Sequence, residues 1–98
     1  VKGVYNQGNV SVKLTDGSKA YGGGVIGMND AATLLSGENQ GEITVVGSGK
    51  DGSASAAGGI VGYNINAATI HKGVNNGSAI ASNATYYFSG GITGFNNS

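Results

Sequence analysis

A seven-residue pattern occurs three times in this chain of 98 residues and constrains its fold more than any other feature. It reads Gly-Gly-Ile-Val-Gly-Tyr-Asn at residues 58–64, Gly-Gly-Val-Ile-Gly-Met-Asn at 23–29 and Gly-Gly-Ile-Thr-Gly-Phe-Asn at 90–96. The copies start 35 and then 32 residues apart. Self-similarity at such a period indicates a stack of repeats. We therefore interpret the chain as a single repeat domain, 1–98, with repeats of about 1–29, 30–64 and 65–98.

The repeats favour β-structure over helix. Each contains short runs rich in β-branched residues, bounded by glycine and asparagine, and such runs are typical of strands. An Asn-X-Gly turn recurs at 6–8, 39–41 and 75–77. Glycine and β-branched residues both lower the propensity for helix. We predict an all-β fold, a parallel β-solenoid (β-helix-like), of about three coils with three short strands in each.

A solenoid of this kind places equivalent residues of successive repeats in columns. Equivalent strands then lie parallel, about 4.8 Å apart. Stacked asparagines can hydrogen-bond amide to amide along the axis, and the paired glycines fit a tight corner or a close backbone approach. The predicted columns are Val25–Ile60–Ile92, Met28–Tyr63–Phe95, Leu34–Ile70, Thr33–Thr69, Asn29–Asn64–Asn96 and Asn6–Asn39–Asn75.

The pattern also resembles a known family. Residues 58–64, followed by Ala-Thr-Ile at 68–70 and Asn-Asn-Gly at 75–77, resemble the GLUG-motif repeats of bacterial secreted and surface proteins, which also occur beside immunoglobulin-A-cleaving metallopeptidases. The resemblance covers almost the whole chain, although Thr93 breaks the apolar pair of the motif. It implies an extracellular, noncatalytic structural or adhesive segment at the bacterial cell surface. It carries over no catalytic residues.

Charge and hydropathy argue against two classes of partner. Five lysines balance five acidic residues and there is no arginine, so the chain lacks the basic stripe that nucleic-acid binding requires. No run approaches the roughly 18 consecutive apolar residues of a membrane-spanning helix. We predict neither nucleic-acid binding nor membrane insertion.

Two glycine-rich segments imitate nucleotide-binding motifs. Residues 22–27 match the letters of the dinucleotide fingerprint, but that motif needs a helix opening at its glycines, and here the glycines recur as part of the repeat. Residues 47–50 hint at a phosphate loop, yet Asp51 stands where a serine or threonine must bind magnesium. We predict no cofactor.

The titratable residues do not form a recognisable active site either. His71 is the only histidine and there is no cysteine, so zinc has no ligand set. Glu38 and Glu42 could suggest a glycosidase pair, but only one repeat carries them, and solvated charge explains them better. We predict no catalytic and no metal-binding residues, and hence no enzyme.

The repeats differ most in three variable segments, 14–21, 46–57 and 82–88. The last contains Tyr86, Tyr87 and Phe88, and alternation along a strand must put at least one of these rings outside the core. Aromatic faces can stack on sugars or anchor a protein; alternatively, the rings cover an end or a flank of the stack. They are our candidate contacts for a host glycan or protein. A carbohydrate- or receptor-binding module is therefore the alternative to a structural or adhesive repeat.

The ends of the predicted stack are also informative. Three repeats are close to the minimum for a stable solenoid, and neither end shows a polar capping element. We expect the chain to be a segment of a longer array that contacts neighbouring repeats, or to pair end to end.

Overall fold

The computed structural model describes residues 1–97 and contains 14 short strands in that range. They wind into three coils, and every strand pairs in parallel with the equivalent strand of a neighbouring coil. The prediction of an all-β parallel solenoid is confirmed. The first coil holds β1 (Val4–Asn6), β2 (Val10–Lys13), β3 (Lys19–Gly23) and β4 (Ile26–Asp30); the second holds β5 (Thr33–Leu34), β6 (Gly37–Asn39), β7 (Ile43–Val46), β8 (Ala54–Gly58) and β9 (Val61–Ile65); the third holds β10 (Thr69–Ile70), β11 (Gly73–Asn75), β12 (Ala79–Ser82), β13 (Tyr86–Gly90) and β14 (Thr93–Asn97).

Stacking of the coils produces five parallel sheets. Four have three strands, β1-β6-β11, β2-β7-β12, β3-β8-β13 and β4-β9-β14, and the fifth pairs β5 with β10. The middle coil supplies the central strand of each three-stranded sheet. Its backbone is therefore paired on both sides, whereas the first and third coils each leave one side of their strands open.

The number of strands per coil differs from the prediction of three. The first coil has four strands and the other two have five. The variable segments account for much of the difference, because each contributes a strand: β3, β8 and β13 start inside these segments and end at the first glycine of the repeated pattern. In the middle coil, Gly59 and Ile60 then turn a corner, and β9 begins at Val61. The sequence pattern shows where β-branched residues recur. It does not show whether two successive β-branched residues belong to one strand or are separated by a corner.

The predicted columns are present. Met28 and Phe95 flank Tyr63, and Ile70 pairs with Leu34. The hydroxyl of Thr69 donates to that of Thr33 at 3.1 Å. Register is specified strongly because a slip of one residue would turn every buried side chain to the opposite face of its strand.

Two apolar clusters fill the interior of the coils. One is built on Ile43 and Val45 of β7, with alanines from the neighbouring strands. The other consists of Leu34, Ile60 and Val61, with half-buried Val25, Ile26 and Ile70 packed against them. All five residues of the middle coil that anchor the clusters are fully buried. The core is thus centred on the middle coil and thins toward both ends of the stack.

The paired glycines allow neighbouring backbones to approach closely. A Cβ placed on Gly59 would lie 2.1 Å from the carbonyl oxygen of Gly91 and 2.2 Å from Cγ of Asn75. One on Gly58 would lie 1.8 Å from the carbonyl oxygen of Val61. Such separations are far inside van der Waals contact, so any side chain would force the corner open. The predicted close approach is confirmed.

Both predicted asparagine columns form hydrogen-bonded ladders. Nδ2 of Asn29 donates to Oδ1 of Asn64, and Nδ2 of Asn64 donates to Oδ1 of Asn96, at 2.8 and 3.0 Å. The amides of the first two coils also bond the backbone of a turn or corner, as Asn64 does with the carbonyl of Ala68. Among residues 1–97, no buried side-chain nitrogen or oxygen lacks a hydrogen-bond partner. The ladders therefore tie successive coils together at the same points where each coil turns.

Candidate binding surface

An aromatic cluster forms the most distinctive side-chain feature of the molecule. It consists of Tyr21, Tyr63, Phe88 and Phe95, one ring from each of β3, β9, β13 and β14. The ring centroids of Tyr21 and Tyr63 lie 4.8 Å apart in an edge-to-face arrangement, those of Tyr63 and Phe95 are stacked at 5.1 Å, and those of Phe88 and Phe95 lie 4.6 Å apart. These separations fall in the range of favourable aromatic pairs. The rings form a continuous chain across all three coils.

A small residue in the middle coil makes room for these rings. Ala56 lies in register between Tyr21 and Phe88 in the sheet β3-β8-β13, and it is only 1% exposed. Its neighbours Ser55 and Ala57 are on the opposite face of β8, and Ala57 packs on β7. The aromatic cluster therefore lies on the face of this sheet that is turned away from the core of β7.

Packing of the rings affects the ionisation of one of them. Burial raises the pKa of the Tyr21 phenol above its ordinary value of 10.0, and the nearby phenol of Tyr63 raises it further. Both effects disfavour the phenolate. Tyr21 is therefore a neutral hydrogen-bonding group at physiological pH.

The structure does not bring the three predicted contact residues together. Phe88 is half-buried within the aromatic cluster. Tyr86 is two residues away, on the same face of β13, and is 59% exposed. Tyr87 is on the opposite face, in register with buried Ser55, and yet is 63% exposed. Ala20 holds the same register position in the first coil and is buried, so the exposure of this position is particular to the tyrosine of the third coil.

The exposed side chains beside the cluster extend it into a surface. Tyr86 adjoins Phe88, and Met28, which is 46% exposed, pairs with Tyr63 in the sheet β4-β9-β14. We call the six residues together the aromatic surface: Tyr21, Met28, Tyr63, Tyr86, Phe88 and Phe95.

A groove lies on a different sheet, β1-β6-β11. It has a volume of about 440 Å³, and Tyr5, Glu38 and Val74, which pair across the three strands, form part of its lining. Lys72 also lines it. The amide of Gln40 donates to the carboxylate of Glu38 at 3.3 Å. The groove is open; its Lys72 is exposed, and its Glu38, on the central strand, is half-buried.

The remaining sequence candidates are not among the residues of either surface. Residues 22–27 form the end of β3 and the start of β4, so no helix opens at the glycines. Residues 47–50 are in a loop tied to both neighbouring coils; Oγ of Ser48 donates to the carbonyl of Gly17 at 2.6 Å. His71 is exposed. Within residues 1–97, no group of three histidine, cysteine or acidic side chains is placed to hold a metal ion.

Sequence reasoning missed Tyr21 as a partner of the other rings. Tyr21 and Phe88 were each assigned to a variable segment, but both are in strands, because β3 begins at Lys19 and β13 at Tyr86. The pair could have been found by aligning the segments around Tyr21 and Phe88 with the segment around Ala56, which occupies the same position in the middle repeat. A comparison of the repeats that looks for identical residues cannot detect a small residue that pairs with larger residues in the neighbouring strands.

No protein-family model matches this chain, and neither a curated protein nor a solved structure matches it. Residues 1–97 contain no helix that is long and apolar enough to cross a membrane. The functional assignment therefore depends on the geometry of the coils and of their surfaces.

Proposed function

We propose that the chain is a noncatalytic structural repeat segment of a bacterial surface or secreted protein, located outside the cell. The observation that carries this proposal is the use of the repeated side chains. The asparagines of both columns, the paired glycines and the buried aliphatic residues contact the equivalent residues of the next coil. The residues that recur in every repeat thus act in stacking. The resemblance to GLUG-motif repeats supports the location and the bacterial source.

Surface display tests this proposal. The chain is placed between a membrane anchor and an epitope tag on a bacterial cell, and antibody access to the tag and resistance to added protease are measured. We expect the wild-type segment to hold the tag accessible and to resist cleavage. Asn39→Ala, which removes the buried centre of one ladder, should lose both properties. Asn76→Ala, an exposed change in the equivalent turn of the third coil, is the matched control. Equal presentation by both variants would contradict a structural role.

A second function, recognition of a host glycan, is favoured by the aromatic surface. Tyr86 offers an exposed ring next to Phe88, and half-buried Tyr63 and Phe95 continue the apolar surface. Aromatic rings held in place by neighbours can stack on the apolar faces of sugars without losing much conformational freedom. Adhesion would then occur through the side of the solenoid.

Two neighbouring tyrosines provide a matched test of glycan recognition. Wild type, Tyr86→Ala and Tyr87→Ala are compared on a glycan array. Because Tyr86 and Tyr87 are similarly exposed but occupy opposite faces of β13, only Tyr86→Ala should reduce binding. Absence of any glycan signal with wild type, or an equal loss in both variants, would rule out recognition through the aromatic surface.

A further inference from the structure

The two ends of the coil stack are complementary to each other. We define the leading end as the open side of the first coil, β1–β4, and the trailing end as the open side of the third coil, β10–β14. We propose that the trailing end of one molecule binds the leading end of a second copy, so that the chains associate head to tail. Hydrogen-bond direction, backbone fit, apolar surface and interface size each support this association.

The direction of the asparagine ladder provides the first argument. Nδ2 of Asn6 donates to Oδ1 of Asn39, and Nδ2 of Asn39 donates to Oδ1 of Asn75, each at 2.8 Å. At the trailing end, Nδ2 of Asn75 bonds only the carbonyl of Gly77 within residues 1–97, which leaves one of its two hydrogens. At the leading end, Oδ1 of Asn6 accepts no hydrogen bond from the described residues. A second copy would join this donor to this acceptor.

The glycine columns provide the second argument. A Cβ on Gly24 would lie 2.3 Å from the carbonyl oxygen of Gly59, and a Cβ on Gly59 would lie 2.1 Å from that of Gly91. A Cβ on Gly91 itself meets no atom within 4 Å, and its φ is not in the left-handed region. Gly91 thus has room for a side chain in the isolated chain. If Gly24 of a second copy occupies the next position in the column, a side chain at position 91 would clash with it, and glycine would again be required there.

A second glycine column points in the opposite direction. A Cβ on Gly77 would lie 1.9 Å from the carbonyl oxygen of Gly41, and one on Gly41 would lie 1.9 Å from that of Gly8. A Cβ on Gly8 would meet only Oδ1 of Asn6, at 3.9 Å. Gly8 is therefore unrestricted at the leading end, just as Gly91 is at the trailing end. In a head-to-tail pair, Gly8 of the second copy would meet Gly77 of the first.

The apolar surface at the trailing end is incomplete. Ile60 of the middle coil is fully buried, whereas Ile92, its equivalent in the third coil, is 38% exposed. Ile92 and Ile70 line a cavity of about 960 Å³ that opens at this end. At the leading end, half-buried Val25 occupies the same column as Ile60 and Ile92. Docking would place Val25 of the second copy against Ile92 and so continue the column.

The ends are large enough for a stable contact. The described part of the chain measures 36 × 28 × 16 Å, and three coils stacked about 4.8 Å apart account for the shortest dimension. An end bounded by the two longer axes covers on the order of 800 Å², which equals the area that each partner contributes to a standard protein interface. The open strand edges add backbone donors and acceptors, which pair readily with another chain. Because the two surfaces are different, the contact is heterologous and can continue into a chain of molecules.

Two substitutions test the proposal from opposite ends. Gly91→Ala adds a methyl group to the trailing end, and Gly8→Ala adds one to the leading end. Both positions have room in the isolated chain, so the circular dichroism and the thermal midpoint of dilute, unassociated protein should match wild type. Light scattering coupled to size-exclusion chromatography should show a mass that rises with concentration for wild type. Each variant alone should remain at the 9.6 kDa of one chain.

A mixture of the two variants gives the most specific prediction. Gly8→Ala retains an intact trailing end, and Gly91→Ala retains an intact leading end. The mixture should therefore form a one-to-one pair that does not grow further with concentration. Thr44→Ala, a change at a half-buried position of the middle coil, should associate like wild type. A wild-type chain that stays monomeric at all concentrations, or folded variants that still associate alone, would overturn the proposal.

Discussion

Nδ2 of Asn39 donates a hydrogen bond to Oδ1 of Asn75 in the next coil, at 2.8 Å, and the same nitrogen bonds the carbonyl of Gly41, at 2.9 Å. One side chain therefore closes its own turn and joins two coils. Oδ1 of Asn39 accepts from Nδ2 of Asn6 and from the backbone N–H of Gly41. The amide is fully buried, and it connects coils that are 33 to 36 residues apart in the sequence.

Replacement of Asn39 should therefore be costly. Asn39→Ala leaves the N–H of Gly41 and one hydrogen of Asn6 without an acceptor, and a buried polar group without its partner costs about 1–3 kcal/mol. We expect the free energy of unfolding to fall by about 3 kcal/mol, as measured by urea denaturation. Asn76→Ala removes an exposed amide with no side-chain hydrogen bond within residues 1–97, and should change stability by less than about 0.5 kcal/mol. Equal losses in the two variants would show that the ladder adds nothing.

The glycines of one column should respond differently to the same substitution. Gly59→Ala places a methyl group 2.1 Å from the carbonyl oxygen of Gly91, in a backbone that cannot move without breaking the stack. We expect destabilisation of about 3 kcal/mol or more. Gly91→Ala meets open space and should be close to neutral in the thermal unfolding of dilute protein. Similar midpoints for the two variants would contradict the close approach at the corner.

The phenol of Tyr21 should titrate at higher pH than its ordinary value of 10.0. Its pKa is raised in the folded state by burial and by Tyr63, so the folded protein holds this proton more tightly than the unfolded chain. The associated stability is complete below pH 10 and is lost as the pH rises through the folded pKa. Tyr21→Phe should remove a step above pH 10 from the absorbance titration of phenolate. In Tyr63→Phe, the pKa of Tyr21 should move toward 10.0; an unchanged titration in both variants would contradict the coupling.

The ion pair between Lys50 and Asp16 should contribute little. It joins the central loop to the loop of the first coil, but the two side chains are 60% and 78% exposed. Exposed pairs of this kind are typically worth less than about 1 kcal/mol and are screened by salt. Asp16→Asn should shift the urea midpoint only slightly, and the shift should vanish at high ionic strength. A large, salt-independent loss would show that the loop depends on this contact.

The columns of the solenoid could be predicted from the sequence because residues of the same type recur at matched spacing. Parallel pairing of equivalent strands places such residues next to each other. Asn29, Asn64 and Asn96 stack as expected, as do Met28 and Tyr63. The corners were harder to place. Apart from glycines, left-handed backbone occurs at Ala31, Asn66, Ala67 and Asn83. The first three follow Asn29 or Asn64 by two or three residues, so these corners lie just after the ladder and not within it.

The candidate site was predicted only in part. Phe88 and Tyr86 share a face of β13, but Tyr87 is on the opposite face. Tyr21 is also part of the aromatic cluster, which the sequence did not predict. Alternation along a strand can be read from a sequence once its first residue is known, yet the start of β13 was not evident among Ser, Asn, Ala and Thr. Lateral contacts between sheets depend on how sharply each coil turns, and turn angles are a property of the packed molecule.

The sequence by itself determined the repeat, the parallel stacking and the identity of the columns, because equivalent residues must meet when equivalent strands pair. The tertiary structure alone decided that a corner at Gly59 and Ile60 separates β8 from β9, that four rings from the three coils meet in one cluster, and that the two ends of the stack are complementary. The physical reason is distance along the chain. Stacking repeats the same pairing between equivalent strands of neighbouring coils, which the spacing of the repeats predicts. The corners and the ends of the stack depend instead on contacts among all three coils.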